Sequence, residues 1–578
     1  MKLPVLLNHF KTTPLEKNKI LILLIVPALL YLALLPVTPL MEPDEARYSD
    51  IPSLMNRTGD YVTPHLIHLV YLEKPPLCYW ATALLFKVFG ENEFSSRLFA
   101  ALCGWGCLIL VYKMGTFLRG ERTGLYSAAV LSTSLCFFMF SRMNILDIPL
   151  TFFVCLATWA GYRFFAEPSR RKGWLYLFYV ASGLAFLTKG LIGVVFPFAI
   201  TTIWLFACRR WRDVLRLFSP VGMIIFLMIS CPWVILAQRA NKDFLWFFFI
   251  QEHFLRYTTR MHGRTGIFLY YIPVILFGMM PWSAFLLKFI KGGIKNRSLL
   301  FRKTDLLFLT IWTTFIFVFF SLSSSKLIPY ILPVFLPIAL VIGRLFSGYE
   351  DRPPILSKEG PKSLLHHLPV ILQSLLFIIP LLLPPFLENR RFGKSLMIMP
   401  VDHWWKWILI PILCQLGIIF LPNLMERRWK RGGFLTVYLL SALFLAAMVF
   451  PISKFLTPYK TAYPVACAIK KFLPAGQELF QYRTSLYGID FYDKNRTPMV
   501  DASGELRLGI EKLSPGERSH YFPSSEEFFK LCSQREAVYC VTQHQQNVAE
   551  LEKRVHNIEV LWENGVYYLL RLRDHESP

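Results

Sequence analysis

Long unbroken apolar runs alternate with short polar connectors along most of the 578 residues. A helix needs roughly 20 apolar residues to cross the hydrocarbon core of a bilayer. Runs near that length fall at 20–38, 95–112, 124–140, 147–164, 175–188, 190–207, 218–237, 267–287, 305–322, 328–346, 366–386, 406–424 and 434–452. The pattern predicts a polytopic α-helical membrane protein with about thirteen transmembrane helices, since only helices satisfy their own backbone inside lipid. Around Thr188-Lys189-Gly190 two helices and one bent helix are both open. Lys2, Lys11, Lys17 and Lys19 precede the first run, and no small-residue cleavage site follows it, so an uncleaved first span is expected. No period of fixed length repeats, which excludes solenoids.

After residue 455 the pattern changes. Glu478 to Tyr482 and Val560 to Leu570 have the alternation of strands, the second broken by an Asn564-Gly565 turn signal. Ser525 to Ser533 and Val548 to Val555 have helical spacing. The expected organisation is a transmembrane domain over 1–455, with a long first outward loop at 39–75, and a small α/β domain over 456–578.

Composition supports the membrane reading. Hydrophobic residues make up 54% of the chain and charged residues 17%, against about 25% charged in soluble domains. Lys and Arg exceed Asp and Glu by 62 − 38 = 24, but they sit in short runs between apolar segments, which argues for membrane topology and against a nucleic-acid partner. With the N-terminus inside, runs such as Arg209/Arg210/Arg212/Arg216 and Arg427/Arg428/Lys430/Arg431 all fall on the cytoplasmic side. The first loop and the C-terminal domain then face outward. The eleven cysteines form no Cys-x-x-Cys pair, and eight lie in or beside apolar runs, so a thiolate zinc site is not expected.

Chemistry gathers on the outward side. The first loop carries Met41-Glu42-Pro43-Asp44-Glu45-Ala46-Arg47-Tyr48 and Tyr71-Leu72-Glu73-Lys74-Pro75-Pro76; loops this long inside a compact protein are usually functional. Asp147-Ile148-Pro149 opens a span, where helix capping alone would also account for the acid. Gln251-Glu252-His253-Phe254-Leu255-Arg256 and Arg260-Met261-His262-Gly263-Arg264 place positive charge where topology disfavours it, and an anionic ligand explains that best. Lys326 and Tyr330 flank Pro329; Lys326 could also merely snorkel, and snorkelling is the expectation for Lys189. Three carboxylates (Asp44, Glu45, Asp147) and several cations (Lys74, Arg256, Arg260, Lys326) suit an enzyme that grips a phosphorylated lipid while acids orient the reacting partner. Glu73 and His253 could hold a divalent metal if they meet in space, although a metal-free reaction is preferred. No Walker loop or dinucleotide fingerprint is present, so a donor used outside the cytoplasm would be carried on a polyprenyl lipid.

Asp44-Glu45-Ala46-Arg47-Tyr48, Gly59-Asp60-Tyr61-Val62-Thr63-Pro64 and Tyr71-Leu72-Glu73-Lys74-Pro75-Pro76-Leu77-x-Tyr79-Trp80 together resemble the bacterial lipid A aminoarabinose transferases. These lie within the membrane-embedded GT-C glycosyltransferases, which include the protein O-mannosyltransferases. Asp147-Ile148-Pro149, Glu252-His253-x-x-Arg256 and Lys326-Leu327-x-Pro329-Tyr330-x-Leu332-Pro333 are similar to the family's later motifs and come in the same order.

The resemblance implies an inner-membrane enzyme, active on the periplasmic face, that moves 4-amino-4-deoxy-L-arabinose from undecaprenyl phosphate to a lipid A phosphate. It implies Asp44 as the catalytic carboxylate and Asp147 as a second acidic position. It also implies Lys74, Arg256 and Tyr330 on the donor phosphate, with Arg260 and Arg264 as rivals for the arginine. Asp44 would orient the sugar if the acceptor is a phosphate, and act as general base if it is a hydroxyl. A sister enzyme using another polyprenyl-phosphate sugar on protein or glycan hydroxyls is the alternative. A lipid transporter or flippase would spread ionisable groups through the depth of several spans and often repeat its halves, which is not the pattern seen.

Overall fold

The computed structural model describes residues 17–67, 69–167, 169, 171–255, 266–283, 285–286, 304–349, 404–428, 432–494, 496–502 and 506–573. Helices α1 (Lys17–Ala33), α2 (Asp44–Thr58), α3 (Leu77–Phe89), α4 (Glu93–Arg119), α5 (Glu121–Ser132), α6 (Leu135–Phe140), α7 (Asp147–Ala166), α8 (Lys172–Lys189), α9 (Ile192–Ala207), α10 (Trp211–Leu217) and α11 (Pro220–Ala240) come first. A π-helical segment Trp246–Leu255 follows, then α12 (Tyr271–Gly278), α13 (Thr304–Leu322), a 3-10 segment Ile328–Val334, α14 (Phe335–Tyr349), α15 (Trp404–Arg428), α16 (Gly432–Lys460) and α17 (Tyr463–Phe472). Among the described residues six helices are long and apolar enough to cross a membrane, and several shorter apolar helices accompany them. The expected span at 366–386 lies outside the described residues.

The open question at Thr188-Lys189-Gly190 resolves into two helices. Gly190 has φ +78° and ends α8, a conformation that glycine adopts without steric cost, and α9 turns back to pack on α8. The first outward loop is also more ordered than a connector. It folds into α2, a short antiparallel hairpin of β1 (His65–Leu66) and β2 (Leu69–Val70), and α3. At thirteen residues α3 is apolar but too short for a full span.

Side-chain volume decides which helices touch. A Cβ on Gly115 of α4 would lie 2.7 Å from the Cα of Gly124 in α5, so the two backbones meet only because both residues are glycine. Asn92 caps α4: its side chain accepts from Ser95 N (2.9 Å) while Ser95 Oγ accepts from Asn92 N (3.2 Å), a capping box. In α7 78% of the apolar window is buried, against 22% in α11. The first is therefore a central helix, while the second turns Val221, Ile224, Leu227 and Met228 outward, a surface that suits lipid and not water.

The C-terminal residues form a five-stranded mixed sheet, in the order β4 (Met499–Val500), β3 (Leu479–Tyr482), β5 (Val538–Gln543), β7 (Tyr567–Arg573), β6 (Asn557–Glu563). Strand β3 pairs parallel with β4 and β5, and β7 pairs antiparallel with β5 and β6. The strands expected near 478–482 and 560–570 are present; β5, at the centre, lacked a polar alternation because both of its faces are buried.

This sheet domain is bolted to the first loop. Glu42 N donates to Lys460 O (2.7 Å), and the Glu42 carboxylate accepts from Gly488 N (2.6 Å) and Tyr487 N (3.3 Å). Tyr492 Oη accepts from Leu40 N (2.8 Å) and donates to Glu93 Oε1 (2.9 Å). Asp490 Oδ1 accepts from Thr497 N and Oγ1, while the Oδ2 atoms of Asp490 and Asp50 are buried with no hydrogen-bond partner. Burial therefore pushes the Asp50 carboxyl up to about 6 and Glu42 to about 8, and raises Asp490 as well, where the neighbouring Asp50 adds to the effect.

Candidate active site

Four segments deliver charge to one place, and a fifth adds a tyrosine. Asp147 opens α7, where the helix dipole favours a carboxylate, and its Oδ1 accepts from Lys189 Nζ at 2.6 Å. Lys189 ends α8, and its ammonium lies 4.6 Å from the ring centroid of Tyr330, a cation–π distance. Tyr330 is presented by the 3-10 segment, which Pro329 and Pro333 favour over a regular α-helix.

Glu73 and Lys74 precede Pro75 and Pro76, and a residue before proline is held extended. Lys74 Nζ pairs with Glu252 Oε2 at 3.3 Å and Glu73 Oε2 at 3.5 Å, and donates to Glu73 O at 3.0 Å. Glu252 stands on the π-helical segment, a distortion found often at functional sites. Tyr71 Oη donates to Glu73 Oε2 at 3.1 Å. Glu73, Lys74 and Asp147 are each under a tenth exposed, so each charge needs a partner or a ligand.

These groups line one end of a cavity of about 510 Å³. Leu191, Val195 and Ile250 line its wall too, and each is more than a third exposed on the apolar outer surface. The cavity thus joins a cluster of three carboxylates and two lysines to a greasy wall continuous with the lipid-facing side. A lipid-borne phosphate has chemistry that fits both ends, since either lysine can exchange a carboxylate for a phosphate oxygen.

Of the residues expected from sequence, Glu73, Lys74, Asp147 and Tyr330 are brought together here. Asp44, Glu45 and Lys326 do not line the cavity. Asp44 is half exposed and bonds Arg47 Nη2 at 2.5 Å; the Arg47 guanidinium sits over Tyr71, whose hydroxyl bonds Glu73, so Asp44 is one layer removed. Glu45 is buried and doubly bonded by Arg97 (Nε to Oε1 2.7 Å, Nη2 to Oε2 2.8 Å). Its remaining acceptor positions take Met41 N and Asn144 N. Lys326 Nζ donates to Ser321 O (3.0 Å) and Ser323 O (2.5 Å), tying its own loop, and burial lowers its pKa. Arg256, Arg260, Arg264 and the side chain of His253 lie outside the described residues. Among the described residues no three His, Cys, Asp or Glu side chains are grouped to hold a metal ion.

The snorkelling expected of Lys189 is corrected: its ammonium turns inward to Asp147. A lysine beside a helix-ending glycine, on the same side as the first loop, was the available signal. Arg97 went unnoticed, yet a cation in the first turns of a helix opposes the helix dipole and implies a carboxylate close by.

A family model described as dolichyl-phosphate-mannose-protein mannosyltransferase matches residues 73–236. An undecaprenyl phosphate-alpha-4-amino-4-deoxy-L-arabinose arabinosyl transferase of Erwinia tasmaniensis is 29% identical over 420 residues, 68% of this chain and 74% of the relative. One of Pseudomonas aeruginosa is 32% identical over 326 residues, 56% of this chain and 58% of the relative. The crystal structure of ArnT from Cupriavidus metallidurans bound to undecaprenyl phosphate superposes with a TM-score of 0.79 at 24% identity, covering 96% of this chain and 98% of that one; the apo form gives 0.78. The chain therefore has the fold of that ArnT structure. Along most of the chain, sequence and fold are both similar to those of the undecaprenyl phosphate-aminoarabinose arabinosyl transferases.

Proposed function

We infer that this chain transfers 4-amino-4-deoxy-L-arabinose from undecaprenyl phosphate to a phosphate of lipid A. The observation that carries the reading is the meeting of Lys74, Glu252, Asp147, Lys189 and Tyr330 at the head of an apolar-walled cavity. Its relatives are named for the same donor. The reading places about thirteen spans in the inner membrane, with the cavity and the domain at 456–578 on the periplasmic side.

Chemically, an acceptor phosphate oxygen attacks the anomeric carbon and forms the new C–O bond. The bond from that carbon to the undecaprenyl phosphate oxygen breaks, and its electron pair leaves with the phosphate. Lys74 and Lys189, released from Glu252 and Asp147, stabilise the charge that develops there, and Tyr330 donates a hydrogen bond. Cations preorganised for a developing anion are usually the largest catalytic contribution. The acceptor is already ionised, so no base is required; the displaced carboxylates face the sugar and its ammonium, while Asp44 acts on the site through Arg47, Tyr71 and Glu73. The reading requires no cofactor, with an ion between Glu73 and His253 as the variant on it.

Sugar transfer in membranes tests it, read as a pentosamine mass increase on lipid A. Lys74→Ala and Asp44→Asn are expected to abolish the increase, and wild-type transfer by both would end the reading. A sister enzyme acting on hydroxyls would instead leave lipid A unmodified and label protein or glycan.

A further inference from the structure

A second cavity of about 200 Å³ is lined in part by the residues that lead up to Asp147 in the chain, among them Phe138, Arg142 and Met143. Glu45, Arg97 and Arg142 line its polar end, and Phe138, Phe444, Leu445, Met448 and Val449 stand among its apolar walls. The charge there does not balance. Glu45 is filled: two bonds go to Arg97 and one each to the backbone of Met41 and Asn144. Arg97 is filled as well, its other donors meeting Leu35 O, Thr38 O and Pro39 O. Arg142 is left over. Its Nη2 donates to Leu34 O, its guanidinium lies over Phe138, and its Nε is buried with no partner. Among the described residues it has no ion pair. Two guanidiniums against one carboxylate leave a net positive charge in an otherwise greasy pocket, and burial, then the neighbouring Arg97, push Arg142 down to about 10. A half-buried cation in an apolar pocket calls for an anion, and arginine suits phosphate best.

We propose that this second cavity holds a phosphate of the lipid acceptor at Arg142, with the first carbons of one acyl chain against Phe444, Leu445 and Met448. The inference rests on the transferase reading and adds the acceptor's place to it. The two cavities share one short stretch of chain: Arg142 faces the second, Asn144 N holds Glu45 between them, and Asp147 faces the first. Arg142 and Asp147, one at each cavity, are the ends of the same six residues, so the phosphate held at Arg142 anchors the acceptor and is not the one that attacks. The cavity is too small for a whole multi-acyl lipid, so the remaining chains stay in the bilayer.

The full-length protein in detergent is the sample, and bound lipid is read by native mass spectrometry alongside transfer kinetics. Lipid A carrying its phosphates is expected to bind the parent. Arg142→Gln is expected to weaken that binding at least tenfold and raise the acceptor KM by a similar factor, with kcat and undecaprenyl phosphate binding held within about threefold. Arg142→Lys is expected to recover part of the loss. Met448→Trp, which fills the apolar end, guards against a misfolded Arg142 variant and is expected to raise the same KM. Dephosphorylated lipid A is expected not to bind. Unchanged acceptor binding in both Arg142→Gln and Met448→Trp overturns the proposal, as does phosphatidylglycerol displacing lipid A from the Arg142-dependent site at equal concentration. If the parent transfers no sugar yet binds lipid A through Arg142, the acceptor site stands and the transferase reading falls.

Discussion

Replacing Arg97 by alanine strips a guanidinium from a site that is 3% exposed and where it makes two bonds to Glu45 and three to backbone carbonyls. Removing one partner of a buried ion pair typically costs about 3–5 kcal/mol, because the other charge is left in a dry site. The orphaned carbonyls of Leu35, Thr38 and Pro39 would add to that, at about 1–3 kcal/mol for each group water cannot reach. Glu45 relaxes by taking a proton or a water, so the lower part of the pair range, about 3–4 kcal/mol, is the working expectation for Arg97→Ala. Removing both members is a different matter: apolar replacement of a buried pair is often neutral or stabilising, so Arg97→Met with Glu45→Met should regain most of the loss. It also leaves the net charge beside Arg142 unchanged. Unfolding in detergent followed by intrinsic tryptophan fluorescence measures all three proteins, and sugar transfer is read on the same samples. A loss under about 1 kcal/mol for Arg97→Ala refutes the argument. A double variant that folds like the parent but transfers nothing would return Glu45 to the chemistry.

At the donor end, Asp147→Asn leaves Lys189 facing the cavity without its carboxylate, and Lys189→Ala does the reverse; each should lower kcat by about a hundredfold or more, with stability changed less than in Arg97→Ala. Measured kcat within threefold of the parent for Lys189→Ala would return that lysine to an interfacial role. Where the first loop meets the sheet domain, Asp50 keeps its proton to about pH 6 against an ordinary 3.8. A raised carboxyl stabilises the fold below pH 3.8 and that contribution is lost as pH climbs to 6, an amount of about 3 kcal/mol. Glu42 extends the same trend from 4.5 to about 8. Melting temperature should therefore be higher at pH 5 than at pH 8, and Asp50→Asn should flatten the acid part of the profile; a profile rising with pH in the parent contradicts the assignment. Exhaustive chelation should leave transfer within about twofold, and a loss restored by added divalent ion would favour the Glu73–His253 variant instead.

What could be read from sequence, and what could not, follows from the range of the interactions. The apolar helical character of the chain depends on composition over a local window, and the strands near 478–482 and 560–570 on local alternation, so both were legible. Glu73 and Lys74 announced themselves because two prolines make an odd neighbourhood for a charge pair, and Tyr330 through the motif Lys326-Leu327-x-Pro329-Tyr330. Pairing is non-local. Glu45 and Asp44 are adjacent in the chain and look interchangeable, yet one turns in to Arg97, 52 residues away, and the other turns out to Arg47. Lys189 and Asp147 are separated by 42 residues and two helices, so the adjoining Gly190 marks the turn but does not name the lysine's partner. The sheet domain shows the same limit: its role as a brace for the first loop depends on Glu42 meeting Gly488, 446 residues away. The recoverable clue in each case is energetic. A charge inside an apolar run is costly unless something neutralises it, so Arg97, Arg142 and Lys189 each imply a partner before any coordinates exist. Two of those partners are carboxylates of this chain. Among the described residues no carboxylate is left for Arg142, and the missing counter-charge is what directs attention to a ligand.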